Sequence, residues 1–173
     1  PGYGTSVSLN GFVFGSMVID HSNIISIAVL QAGGPGGFLR IYTDGYTEFL
    51  TFLGMSQQSG ICVDSGNNLY FSTADGNQVY RLAANGTLTF VAGNGSAVST
   101  DGNGVFASFN YPRALAVDAA NNVYVWDSGS HLIRRIDSSQ NVTTIAGNGS
   151  ATDVDGQGTA ARFGSIYAMT ADN

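Results

Sequence analysis

Apolar residues come in short bursts along this chain, each closed by a cluster of turn-forming residues. The clearest set runs Ala114–Asp118, Asn122–Trp126, His131–Ile136 and Asn141–Ala146, separated by AAN, SGS and SSQ. Each burst is rich in Val, Ile, Leu and Tyr and is too short for a helix of ordinary length. No stretch sustains a 3.6-residue apolar period. The pattern predicts an all-β chain of short antiparallel strands joined by tight turns.

The bursts repeat. AGNGS occurs at Ala92–Ser96 and again 54 residues later at Ala146–Ser150. The same shift lays GICVDSGNNLYF (Gly60–Phe71) on ALAVDAANNVYV (Ala114–Val125), VYRL (Val79–Leu82) on IRRI (Ile133–Ile136), and DGNGVFASF (Asp101–Phe109) on DGQGTAARF (Asp155–Phe163). Four copies of one strand stand at Met17–Asp20, Ile61–Asp64, Leu115–Asp118 and Met169–Asp172. A period of about 50 residues made of short strands marks the blade of a β-propeller. The expected architecture is a propeller segment of about three four-stranded blades plus the first strand of a fourth. The blades fall at 16–54, 60–93 and 114–147, with 165–173 starting another. The first is irregular, gaining QAGGPGG (Gln31–Gly37), and the join to the second, MSQQS (Met55–Ser59), lacks Asp-Gly-x-Gly.

The stretch Asn121–Phe163 resembles an NHL repeat. That family is named for an Asn-His-Leu triplet, which stands here as Ser130-His131-Leu132, with Gly76-Asn77-Gln78 in the second blade. The YV-x-D strand end, IRRI, VTTIAG and the DG-x-G-x-A-x-F connection follow in the family's order. The resemblance implies a propeller, usually of six blades. It implies no single function, since the family includes ligand-binding, RNA- or protein-binding and a few enzymatic propellers. Trp126-Asp127 is a WD dipeptide, but the period and the missing upstream Gly-His speak against a WD40 blade.

Composition narrows the partners. Charged residues are 10% of the chain, lysine is absent, Glu48 is the only glutamate, and the net charge is −6. A surface of this kind lacks the basic footprint that nucleic acid or anionic membrane requires. No apolar run approaches the ~18 residues of a membrane helix, so membrane insertion is not expected. The chain opens on PGYG without Met and stops on TADN, and is expected to be part of something longer. One cysteine, Cys62, excludes an internal disulfide and a cysteine metal cluster.

The polar residues that recur are read first as architecture. Asp20, Asp64, Asp118 and Asp172 close the same strand in each copy, with Asn23, Asn67 and Asn121 three residues on. Their alternatives are a carboxylate ring around a central channel, able to hold a cation, or Asx-type caps of their own turns. Arg40, Arg81 and Arg135 recur in the third strand, as ligand clamps or as a repeat feature of the blade edge. His131 and His21 have no Cys or Glu at ligand spacing, and His131 is expected to make structural hydrogen bonds. Cys62, in an innermost strand, is expected to be buried and inert. DVDGQG (Asp153–Gly158) resembles an oxygen-rich calcium loop, making Asp153 and Asp155 metal candidates; the competing reading is an inter-blade turn. Four sequons, at Asn85, Asn94, Asn141 and Asn148, barely exceed the number 14 Asn and 31 Ser plus Thr give by chance, but fall at blade ends.

The resulting expectation is a non-enzymatic structural or interaction segment of an extracellular or cell-surface protein, a repeating part of a filament being one such form, with no catalytic residues and no cofactor. Partners would be other protein chains or the remaining blades, reached through open blade edges. The alternatives are a metal-dependent lyase or hydrolase and a glycan- or peptide-binding propeller.

Overall fold

The computed structural model describes residues 12–31, 36–51 and 58–172. They form three antiparallel sheets. The first contains β1 (Phe12–Ile19), β2 (Ile25–Gln31), β3 (Gly37–Ile41) and β4 (Thr47–Thr51); the second contains β5 (Gln58–Val63), β6 (Leu69–Thr73), β7 (Gln78–Leu82) and β8 (Leu88–Ala92). The third is built from β10 (Pro112–Val117), β11 (Val123–Asp127), β12 (Leu132–Ile136) and β13 (Asn141–Ala146), with the two-residue β9 (Gly102–Asn103) on its outer edge. Apart from β9, each sheet is a four-stranded meander in chain order, the topology of a propeller blade.

The register is the same in all three. Val18–Ser26–Arg40–Glu48, Cys62–Tyr70–Arg81–Thr89 and Ala116–Tyr124–Arg135–Thr143 are equivalent cross-strand rows. Alternate residues face the neighbouring blades, so the core lies between sheets rather than within one. Phe38, Ile61, Leu69, Phe71 and Leu82 fill the space between blades one and two. Val79, Ala92, Phe109, Leu115, Val125 and Ile136 fill that between blades two and three.

Each innermost strand slips register at the same place, between Phe14 and Met17, Gln58 and Ile61, and Pro112 and Leu115. A bulge leaves backbone groups outside the ladder, and here they bond the next blade. Ser16 Oγ donates to the Ser59 carbonyl (2.8 Å), and Ser59 Oγ donates to the Pro112 carbonyl (2.8 Å). Ser72 Oγ reaches the Arg113 carbonyl at 3.0 Å. The strands approach so closely that a Cβ at Gly60 would run into the Arg113 carbonyl oxygen.

Two features depart from the sequence expectation. The Asp-Gly-x-Gly connection is more than a turn: Gly102 and Asn103 pair with Val142 and Asn141 and add a strand to the blade that follows. Residues 165–172 contain no strand, because a ladder needs a second strand and no described residue supplies one. Met169–Ala171 nonetheless line the same central cavity as β1, β5 and β10, the position of an innermost strand.

Candidate functional site

The recurrent aspartates build their own turns. Asp20 Oδ1 accepts from the amides of Ser22 (2.8 Å) and Ile24 (2.9 Å), Asp64 Oδ1 from Gly66 and Asn68 (both 2.9 Å), and Asp118 Oδ1 from Ala120 (3.0 Å) and Asn122 (2.8 Å). Asn23, Asn67 and Asn121 adopt φ of 59°, 61° and 62°, the left-handed conformation that Asn tolerates better than other non-Gly residues. Asp172 is exposed at the end of the strandless 165–172 segment. Asp118 also accepts from the Asn122 amide side chain and the Tyr124 phenol. Burial pushes its carboxyl up, but these donors outweigh that and hold it below the ordinary carboxylate value.

Asn77 and His131 are equivalent clamps between a blade and the connection that follows it. Both sit at positive φ, 52° and 53°. Asn77 Oδ1 accepts from the Tyr111 amide (2.9 Å) and its Nδ2 donates to the Gly95 carbonyl (3.2 Å). His131 Nδ1 lies 3.0 Å from the Phe163 carbonyl and 3.1 Å from that of Gly164, with its ring edge-on to Trp126. His21 is exposed, and its backbone amide donates to Asn67 of the next blade.

The central cavity, about 440 Å³, is bordered by Met17, Val18, Ile61, Cys62, Val63, Leu115, Ala116 and Val117 and, at one mouth, by His21, Asp64 and Asp118. Cys62 is buried there, and desolvation together with the Asp64 carboxylate pushes its thiol pKa far up. A second groove of about 290 Å³ runs between blades two and three, with Tyr70, Arg81 and Thr89 on one wall and Asp137, Ser138 and Gln140 on the other. Arg40 and Arg135 hold the same row position in their own blades, opposite Glu48 and Thr143.

The most polar buried site was not singled out from the sequence. Arg134, fully buried, donates from Nη1 to Asp127 Oδ2 and the Ser108 carbonyl (both 3.1 Å) and from Nη2 to Asp101 Oδ1 (2.7 Å). Its guanidinium lies 5.4 Å from the centroid of the Phe109 ring. Ser99 Oγ bonds the same Asp127 oxygen, and the Asn110 amide bonds the other at 2.6 Å. Asp101 also accepts from the Thr144 amide and hydroxyl. Desolvation raises the Asp127 pKa despite its donors; at Asp101 burial also pushes upward, but the Thr144 amide and Arg134 win and lower it. The signal lay in the Arg-Arg pair: neighbours in a strand face opposite ways, so one of Arg134 and Arg135 had to point inward.

The sequons differ in access. Asn85, Asn94 and Asn148 are exposed in turns, each accepting through Oδ1 from the amide two residues on. Asn141 lies in β13, and its Nδ2, the atom a glycan would take, is shared with both oxygens of Asp137. Asp153 accepts from the Gly164 amide (2.8 Å). Among the described residues no three His, Cys, Asp or Glu side chains converge as a metal cage, and no helix is long and apolar enough to cross a membrane.

Residues 109–136 match the model of the NHL repeat. Among solved structures, a protein of unknown function from Bacteroides thetaiotaomicron aligns with a TM-score of 0.76 at 22% identity, over 92% of this chain and 42% of that one. An auxiliary nutrient binding protein from the same organism gives 0.70 at 23% identity, over 88% and 41%. A streptogramin B lyase gives 0.59 at 14% identity, over 76% and 39%. These likenesses show the fold, and the chain spans about two fifths of each of those proteins. No curated protein matches.

Proposed function

We propose that this chain, an NHL-repeat-bearing segment of a β-propeller, is a non-enzymatic interaction module of a cell-surface or extracellular protein, whose blades serve as a scaffold for binding. The observation that carries the reading is where the recurrent polar groups are spent. The carboxylates of Asp20, Asp64 and Asp118 are taken up by turn amides, and Asn77 and His131 hold blades to connections. At Asp118 the donors stabilise the charged form and make the carboxylate a poor general base. The central channel in turn mixes aliphatic side chains with the turn-bound carboxylates of Asp64 and Asp118.

One similarity and one feature of the chain favour the location: structures called auxiliary nutrient binding proteins share the fold, and the lysine-free, Asn/Ser/Thr/Gly-rich chain carries sequons at exposed turns. Partners are other blades, of the same protein or of neighbouring chains, including a repeating assembly. The test is a turnover screen of the purified protein against esters, lactones and lyase substrates, with and without added Ca²⁺, Mg²⁺ and Mn²⁺, run beside a binding screen of oligosaccharides and peptides. Saturable binding without turnover is expected. Metal-dependent turnover abolished by Asp64→Asn or Asp118→Asn would overturn the reading. Protease shaving of intact cells should release peptides of this chain; protection until lysis would reject the surface location.

A further inference from the structure

The connection that follows blade three repeats the main backbone bonds of the one that follows blade two, although the Asn94–Ala107 bond has no counterpart. The Gly93 amide donates to the Gly104 carbonyl at 3.1 Å, and Gly147 to Gly158 at 3.2 Å. Thr100 and Ser108 exchange backbone bonds of 3.3 and 3.1 Å; Val154 and Arg162 exchange bonds of 3.2 and 3.0 Å. Gly104 and Gly158 have φ of 51° and 57°. By this match Asp155 stands where Asp101 stands, and Phe163 where Phe109 stands.

In the interior copy, Asp101, the Ser108 carbonyl and the Phe109 ring hold Arg134, and Asp101 also accepts from Thr144. At the end of blade three the same frame surrounds a cavity of about 280 Å³ lined by Asp153, Asp155, Gly156, Ala161, Arg162 and Phe163. Asp155 is exposed and makes no hydrogen bond or ion pair among the described residues.

We infer that this cavity is a preformed arginine socket, and that its occupant is a further blade carrying Arg and Thr at the positions of Arg134 and Thr144. The chain itself shows the rule. Position for position, the pair Arg134/Thr144 corresponds to Tyr80/Phe90 in blade two and Leu39/Phe49 in blade one. Blade three follows an Asp-Gly-x-Gly connection and has the polar pair; blade two follows MSQQS and has the aromatic one. A connection that presents an aspartate is thus matched to a blade that brings a guanidinium. A second copy of this chain, docking by its first blade, would bring Leu39 and Phe49 and leave Asp155, at a position where Asp101 is half-exposed, without a cationic partner. The same docking would give Gly156 and Gln157 the ladder partners that Gly102 and Asn103 find in β13.

This deepens the partner side of the interaction reading and is tested without any measure of turnover. The 173-residue chain is extended after Gly164 by a second copy of residues 111–173; a control is extended by residues 57–110, which bring Tyr80 and Phe90, followed by 165–173. In the first extension, amide exchange at Gly156 and Gln157 should slow, and Asp155→Asn should lower the denaturation midpoint. In the unextended chain the same substitution should leave the midpoint in place, and in the control it should leave or raise it. Equal shifts in both extensions, or exchange at Gly156 and Gln157 as fast as in the unextended chain, would overturn the inference, an added blade that never docks included. Self-association of the unextended chain that Asp155→Asn abolishes would assign the face to a second copy and overturn it as well.

Discussion

Replacing Arg134 by Met tests whether blade three is organised around its buried charge. Met fills much of the arginine stem's volume, so the perturbation is chiefly electrostatic. It leaves the Asp127 side chain, fully buried, facing only the Ser99 hydroxyl and the Asn110 amide. Breaking a buried pair by removing one partner costs about 3–5 kcal/mol, a large part of the roughly 5–15 kcal/mol that holds a domain together. Asp101 is the counterweight. Its side chain is 52% exposed, so water compensates it, and Asp101→Asn should cost about 1 kcal/mol or less through the ion pair, plus a fraction for the weaker acceptor offered to Thr144. Urea denaturation followed by tryptophan fluorescence reads both, since Trp126 is the only tryptophan and is buried beside Asp127. Arg134→Met with Asp127→Asn should recover part of the loss, because the uncompensated charge is gone. An Arg134→Met midpoint within error of Asp101→Asn, or no recovery in the double variant, would refute the reasoning.

Gly60→Ala should destabilise by about 3 kcal/mol or more or yield insoluble protein, because its Cβ meets backbone that cannot yield; Gly86→Ala, in open space at φ +86°, should cost only about 1–2 kcal/mol, and equal midpoints would reject the hub contact. Asp118 has a lowered carboxyl pKa, so its contribution is present above the ordinary carboxylate value and is lost as pH falls through the lowered one; Asp118→Asn should flatten the acid limb of stability, and an unchanged limb counts against the turn's role. Asp127 runs the other way: its raised pKa makes its ionised form a liability as pH rises through that value, so Asp127→Asn should remove a loss of stability just above the ordinary carboxylate range. The Cys62 thiol should resist a disulfide reagent until denaturant is added; prompt reaction in buffer would mean an open hub.

The repeat was legible because its turns are spelled out locally. Asp at the strand end and Asn three residues on specify a turn whose atoms all come from five residues, so Asp64–Asn68 and Asp118–Asn122 could be placed without tertiary knowledge. Strand ends were off by a residue or two, since bulged innermost strands begin before their apolar residues do. What stayed hidden depends on partners distant in sequence. Arg134 reaches Asp101 across 33 residues, and β9 exists only because β13 offers an edge. The segment 165–172 carries a strand's sequence without a strand's pairing, because ladder bonds belong to two segments at once.

The contact at Gly60 also has a meaning for size. At the hub, neighbouring blades are separated by little more than backbone, whereas further out the gap is filled by Phe71, Tyr80 and Phe109. Each blade interface is therefore a wedge, thin at the axis and thick toward the rim. The angle of such a wedge fixes how many of them complete a circle, so a substitution that thickens the axis or thins the rim changes the number of sectors a full turn can hold.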